Sequence, residues 1–184
     1  VLPENAIDYN ASYDDLSLPR NSYDECVEFI SKEMLLAAQD LPYKRDIINI
    51  GRPTKGAAMA LIARLRLFQA SPLFNGGAAA RKCFGTWKRK SDGAYYVNQE
   101  YDPRRWAVAA AAAKQLTKMG YELHTVEADA QNPYPLASNV PTANFPDGAG
   151  NIDPYHSYSD MFTGEGIIQT NKEFIWAMES SNVT

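Results

Sequence analysis

The sequence predicts a mostly α-helical fold with long loop insertions and minor β structure, and three observations carry that expectation. Three segments of about seventeen residues, opening near Tyr23, Lys55 and Pro103, repeat apolar or small side chains at helical spacing. Each follows a residue able to cap a helix, and each stops at a proline or glycine that breaks the pattern. Between and beyond them the chain is dense in Pro, Gly, Asn and Asp, and its β-branched run at Ile47-Ile48-Asn49-Ile50 is short.

Residues 1–20 lack periodicity and read as an irregular entry segment. Ser22-Tyr-Asp-Glu25 then fits a capping box, in which the Ser22 hydroxyl accepts from a backbone amide and Glu25 reaches back. Tyr23, Val27, Ile30, Met34, Ala37 and Leu41 form the apolar stripe of a first helix ending near Asp40, ahead of Leu41-Pro42. A small extended piece fits residues 46–50. The following Gly51-Arg-Pro-Thr-Lys-Gly56 has two glycines framing four residues, as a phosphate cradle would. It lacks the Lys and Ser or Thr that must follow the second glycine to reach the phosphates and magnesium, so it reads as a helix start.

Thr54 is the expected N-cap of a second helix running to about Ala70, with Ala57, Leu61, Leu65 and Phe68 as its stripe. Ala58, Ala60 and Ala63 thin the neighbouring surface so that another helix can approach closely. Arg64 is expected to lay its stem along the helix and pair its head with an acidic loop or with carbonyls. Ser71-Pro72 ends the helix, because proline restrains the residue before it.

Residues 73–101 read as a loop-rich insertion, with Asp92-Gly93 closing a small hairpin between Trp87 and Tyr95-Tyr96-Val97. The third helix has Asp102 as N-cap, Pro103 at its first position, Trp106 and an alanine-rich body to Met119, and Gly120 as C-terminal cap. From 124 to 170, Pro133, Pro135, Pro141, Pro146 and Pro154 argue for loop. Phe174-Ile-Trp-Ala-Met178 reads as a strand, and Trp106 and Trp176 are expected in the core.

Composition excludes several function classes. A net charge of −4, with no basic block larger than Lys88-Arg89-Lys90, argues against nucleic acid. Cys26 and Cys83 are too few for a disulfide framework or a zinc site, and Cys26 is expected as a buried thiol. No apolar run approaches the ~18 residues of a membrane span. His124 and His156 stand in no nucleophile pattern, and no pair of carboxylates is singled out for glycosidic chemistry, so no enzyme and no cofactor are expected. Asp147-Gly-Ala-Gly-Asn151-Ile-Asp153 gathers oxygens but misses the EF-hand spacing, and a turn without metal is the expectation. The length suits one domain with its own core, and the Val-Leu-Pro opening suggests an internal piece of a longer protein.

Helices of this kind cannot bury their faces alone, so they should stack in tetratricopeptide-like pairs whose period is broken by the loops at 41–53 and 72–102. Gly51-Arg52, Thr54-Lys55-Gly56-Ala57-Ala58, Leu61, Ala63-Arg64 and Ser71-Pro72 resemble the signature helix of the SusD/RagB family, surface lipoproteins of glycan-uptake systems in Bacteroidetes-type bacteria. Trp106 with Ala109-Ala110, Gly120-Tyr121-Glu122-Leu123, and Asn171, Glu173 and Ile175 follow the same order, while Pro53 and Phe68 depart where alanine and tyrosine are common. The resemblance covers roughly Tyr23 to Ala177. It implies a SusD-like helical scaffold at the outer-membrane surface, lipid-anchored through an N-terminus outside this chain. It also implies docking on a SusC-like TonB-dependent transporter and binding of a glycan without catalysis.

The motif residues belong to the scaffold, so the ligand site must be sought in chemistry. Sugars offer an apolar C–H face and a rim of hydroxyls, which calls for flat rings beside amides and carboxylates. Tyr134, Tyr155 and Tyr158, with Asn151 and Asp153, make the 131–160 loop the expected site, and Trp87 and Tyr96 are further candidates in the earlier insertion. Replacing the three tyrosines by alanine is expected to abolish glycan binding. The rival expectation is a tetratricopeptide-like protein-interaction scaffold, whose concave helical surface grips a partner segment.

Overall fold

The computed structural model describes residues 8–163 and 171–176, and they fall in two units: Val1–Lys44 with Pro53–Leu116, and Arg45–Arg52 with Thr117–Thr184. The fold is mostly α, with one two-stranded sheet among the described residues. After a short α1 (Tyr13–Leu16), the first unit is built on α2 (Tyr23–Asp40), α3 (Lys55–Ala70), α4 (Gly77–Phe84) and α5 (Arg104–Leu116). Both halves of the capping box form: Ser22 Oγ accepts from Glu25 N at 3.2 Å and Ser22 N donates to the Glu25 carboxylate at 2.6 Å. Leu41 ends α2 at ψ 136°, the extended conformation that Pro42 imposes. Thr54 Oγ1 accepts from Ala57 N and starts α3, so the glycine-framed hexapeptide leads into a helix.

α3 packs against both α2 and α5 through its small residues. Gly56, Ala57, Ala58, Ile62, Ala63 and Ala70 are buried, facing Val27, Ser31 and Ala38 of α2 and Ala109 of α5 as the other buried positions of this layer. Close approach of backbones explains the choice: of the expected stripe Ala57 is buried and Leu65 half-buried, while Leu61 and Phe68 turn outward because the alanine face admits the neighbours more tightly. Arg64 lies over the Phe68 ring at 5.9 Å, a cation–π contact in place of the expected acidic or carbonyl partner. A polar clamp ties the layer together: Arg105 donates to Asp24 at 2.8 Å, Gln69 donates to the other Asp24 oxygen, and Arg66 pairs with Glu28. Arg66 holds the Glu28 carboxyl below its usual range.

The insertion after α3 is more ordered than its turn residues suggest. Gly76 sits at φ 71°, and a Cβ there would lie 2.3 Å from the Glu100 carbonyl carbon, so only glycine fits ahead of α4. Tyr23, Phe74, Phe84 and Trp87 form a ladder of rings with centroids 4.5, 6.0 and 5.4 Å apart, which fastens α4 to α2 and to the hairpin. The hairpin forms as expected: Arg89 N donates to the Ala94 carbonyl, Tyr96 N to Trp87, and Gly93 takes φ 74°. Arg89 pairs with Asp92 and Glu25, so part of the basic cluster is committed to structure.

The second unit contains a 3-10 turn, Ile47–Asn49, where an extended piece was expected; Asp46 accepts from Asn49 N and draws the chain into a turn. β1 (Val126–Glu127) pairs antiparallel with β2 (Ile152–Asp153), and α6 (Pro154–Thr163) follows directly. The loop between the strands is packed, since a Cβ on Gly150 would meet the Thr142 carbonyl oxygen at 2.0 Å.

Other expectations are corrected. α5 ends at Leu116, and 117–120 form turns with Gly120 at φ 81°, where the helix was expected to reach Met119. The segments read as loop at 73–101 and 124–170 contain α4 and α6, and the irregular entry contains α1. Phe174–Trp176 forms no strand: the Trp176 indole donates to the Gly51 carbonyl at 3.0 Å, and residues 177–178 lie outside the described residues. Trp106 and Trp176 are 42% and 46% exposed, against the core placement expected; on α5 the buried position is Ala109, which leaves the Trp106 ring outside the layer. Cys26 is half-buried and Cys83 exposed.

Candidate functional site

In the second unit, α6 carries three exposed rings, Tyr155, Tyr158 and Phe162. Asp153 opens α6: its Oδ1 accepts from His156 N at 2.9 Å, satisfying an amide of the first turn. Pro154, at the first helical position, has no amide that needs satisfying. That backbone bond, together with the His156 ring 2.7 Å from Oδ2, holds the Asp153 carboxyl below its usual range. From this cap, α6 turns Pro154, Ser157, Tyr158, Met161 and Phe162 to one face at helical spacing.

This face forms one wall of an open cleft of about 280 Å³. Leu123, His124, Thr125, Phe145, Ile152 and Glu173 complete the lining. Tyr158 and Phe162 are 71% and 74% exposed, their ring centroids 5.1 Å apart and tilted by 50°. The polar side is held firmly: His124 N donates to Glu173 at 2.8 Å, the His124 Nε2 lies 3.2 Å from Asp160, and Ser157 Oγ accepts from Val126 N. Among the described residues no group of three or more His, Cys, Asp or Glu is gathered as a metal would need.

The residues expected from sequence have several fates. Tyr158 lines the cleft. Tyr134 and Tyr155 stack on each other at 5.2 Å and 8°, each covering one face of its partner, and they do not line the cleft. Asn151 Oδ1 accepts from Phe145 N at 2.7 Å, and Asp153 is the cap of α6, so both carry the loop's architecture. The Asn151 and Asp153 side-chain oxygens are thus spent on the loop and on a helix start. Trp87 and Tyr96 belong to the first unit, where Trp87 meets Phe84 edge-on and the Arg20 guanidinium lies 5.9 Å from the Tyr96 centroid. Phe162, His124, Phe145, Leu123 and Glu173 were missed, though Asp153-Pro154, a cap followed by an N1 proline, was a readable signal for α6.

No family model matches the chain, and no curated protein matches it. Among solved structures it is similar to BT4246, a Bacteroides thetaiotaomicron protein, with a TM-score of 0.60 and 26% identity over 88% of this chain. The selenomethionine form of BT4246 matches at a TM-score of 0.55, again with 26% identity over 88% of this chain. In both comparisons the chain spans 28% of the length of BT4246. The mostly helical fold is therefore one that this chain shares with part of a Bacteroides protein.

Proposed function

We propose that this chain is part of a SusD/RagB-type cell-surface protein that binds a glycan and passes it to a TonB-dependent outer-membrane transporter, without catalysis. The observation that carries the reading is the cleft on α6, where Tyr158 and Phe162 stand exposed beside fixed polar groups. Water leaves ring faces and sugar C–H faces at little cost, and hydroxyls at the rim need partners at defined positions. The signature-like residues from Gly51 to Pro72 support the same reading, and the similarity to BT4246 supports its coarser part, a Bacteroidetes-type protein. In the whole protein, an N-terminal lipid outside this chain would hold it at the outer-membrane surface.

The test is electrophoresis through gels containing starch, xylan, galactomannan or laminarin. At least one polysaccharide retards the protein, and Tyr158→Ala with Phe162→Ala lowers that retention at least tenfold, since each lost stacking contact is worth about 1 kcal/mol. No sugar is released from the retarding polysaccharide. The exposed Leu61, Leu67 and Phe68 of α3 favour the second reading, a protein-interaction scaffold, and the absence of retention by any polysaccharide would move the balance to it.

A further inference from the structure

His124 is clamped in the cleft at two points. Glu173 accepts from its backbone N–H at 2.8 Å, and Asp160 faces its ring at Nε2, 3.2 Å away. The other Asp160 oxygen is buried and has no hydrogen-bond partner among the described residues, so the imidazole N–H is the donor on which this carboxylate depends. In the uncharged form of the ring this donor role puts the proton on Nε2 and leaves a lone pair on Nδ1. No described residue hydrogen-bonds to Nδ1. The neighbouring Ser157 hydroxyl, in contrast, is committed twice, to the Val126 N–H and to the Asp153 carbonyl.

We propose that His124 Nδ1 is the acceptor that fixes a pyranose ring in this cleft by taking a hydrogen bond from one of its hydroxyls, while Tyr158 or Phe162 receives the C–H face. The proposal rests on the glycan-binding reading and adds the residue that orients the ligand. A volume of about 280 Å³ lies near the lower end of small-molecule sites, roughly 300 Å³, and suits a ring-sized group better than a peptide segment. Asp160 and Glu173 are positioning residues: they hold ring and backbone before ligand arrives, so little ordering remains to be done on binding.

The test uses the whole chain and oligosaccharides cut from whichever of the four polysaccharides retards it. His124 and His156 are the chain's two histidines, so their ring nitrogens can be assigned in a 15N spectrum with His124→Gln as reference. In the free protein the His124 proton sits on Nε2, and adding oligosaccharide moves the bare Nδ1 resonance upfield. His124→Phe weakens binding up to about tenfold, the upper worth of one hydrogen bond, and His124→Gln, which keeps an acceptor, recovers part of the loss. Binding with an unmoved Nδ1 resonance and an affinity within twofold in His124→Phe overturns the anchor and leaves the glycan reading standing. A proton found on Nδ1 in the free protein also overturns the anchor. Failure of wild-type protein to bind any of the oligosaccharides overturns both.

Discussion

Asn75 has no exposed surface, and its amide joins segments that α4 separates: it donates to the Ala70 and Asp102 carbonyls and accepts from Asp102 N at 3.1 Å. Asn75→Ala would strand those buried groups, so it should cost about 3 kcal/mol, read as a lowered denaturation midpoint. Asp92 makes a prediction in pH. The Arg89 guanidinium, followed by the Ala94 N–H, holds its carboxyl down from 3.8 to about 2. A carboxyl depressed in the folded state stabilises above its unfolded value and loses that contribution as pH falls, so the hairpin clamp is intact above pH 4 and fails toward pH 2. An NMR titration of the Asp92 carboxyl should show a midpoint near 2; a midpoint at 3.8 would mean no clamp. At this scale, local partners were legible: Ser22 with Glu25 and Thr54 with Ala57 are three residues apart. His124 with Glu173 was not, since 49 residues separate them and no local pattern records the pairing.

The three long helices were legible because each advertises its own ends with a cap and a breaker. α6 was hidden by a reading of Pro154 as a breaker. Asp153-Pro154 is the same signal as Asp102-Pro103, a side-chain cap before a proline that needs no amide partner, and both start helices. α4 was hidden by brevity, since eight residues behind Gly76 give little periodicity to read. Which faces are buried was harder still. Large residues marked a stripe on α3, but its small residues decided the packing, because the tightest helix approach goes through alanine and glycine. Asp153→Ala should cost about 1 kcal/mol and speed amide exchange at His156, with Asp153→Asn recovering most of the loss. Unchanged exchange at His156 would mean that the cap does not hold the first turn.

Across the whole molecule, the mostly α class followed from periodicity and caps alone, and the candidate cleft did not. Tyr158 was found in sequence as one aromatic in a polar loop; its neighbours in the cleft come from 123–125, 145–162 and 173, which only the β1–β2 pairing and the chain's return at 171–176 bring together. Tyr134 and Tyr155 looked equivalent to Tyr158 by composition, yet their mutual stack leaves them a different surface. The account depends on the α6 cleft receiving sugar, and gel retardation measures this most directly when wild-type protein runs beside the Tyr158→Ala, Phe162→Ala variant and a Tyr134→Ala, Tyr155→Ala variant. The predicted result is retention by one polysaccharide that disappears in the first variant and largely persists in the second. Equal retention in all three, or none in the wild type, would contradict it.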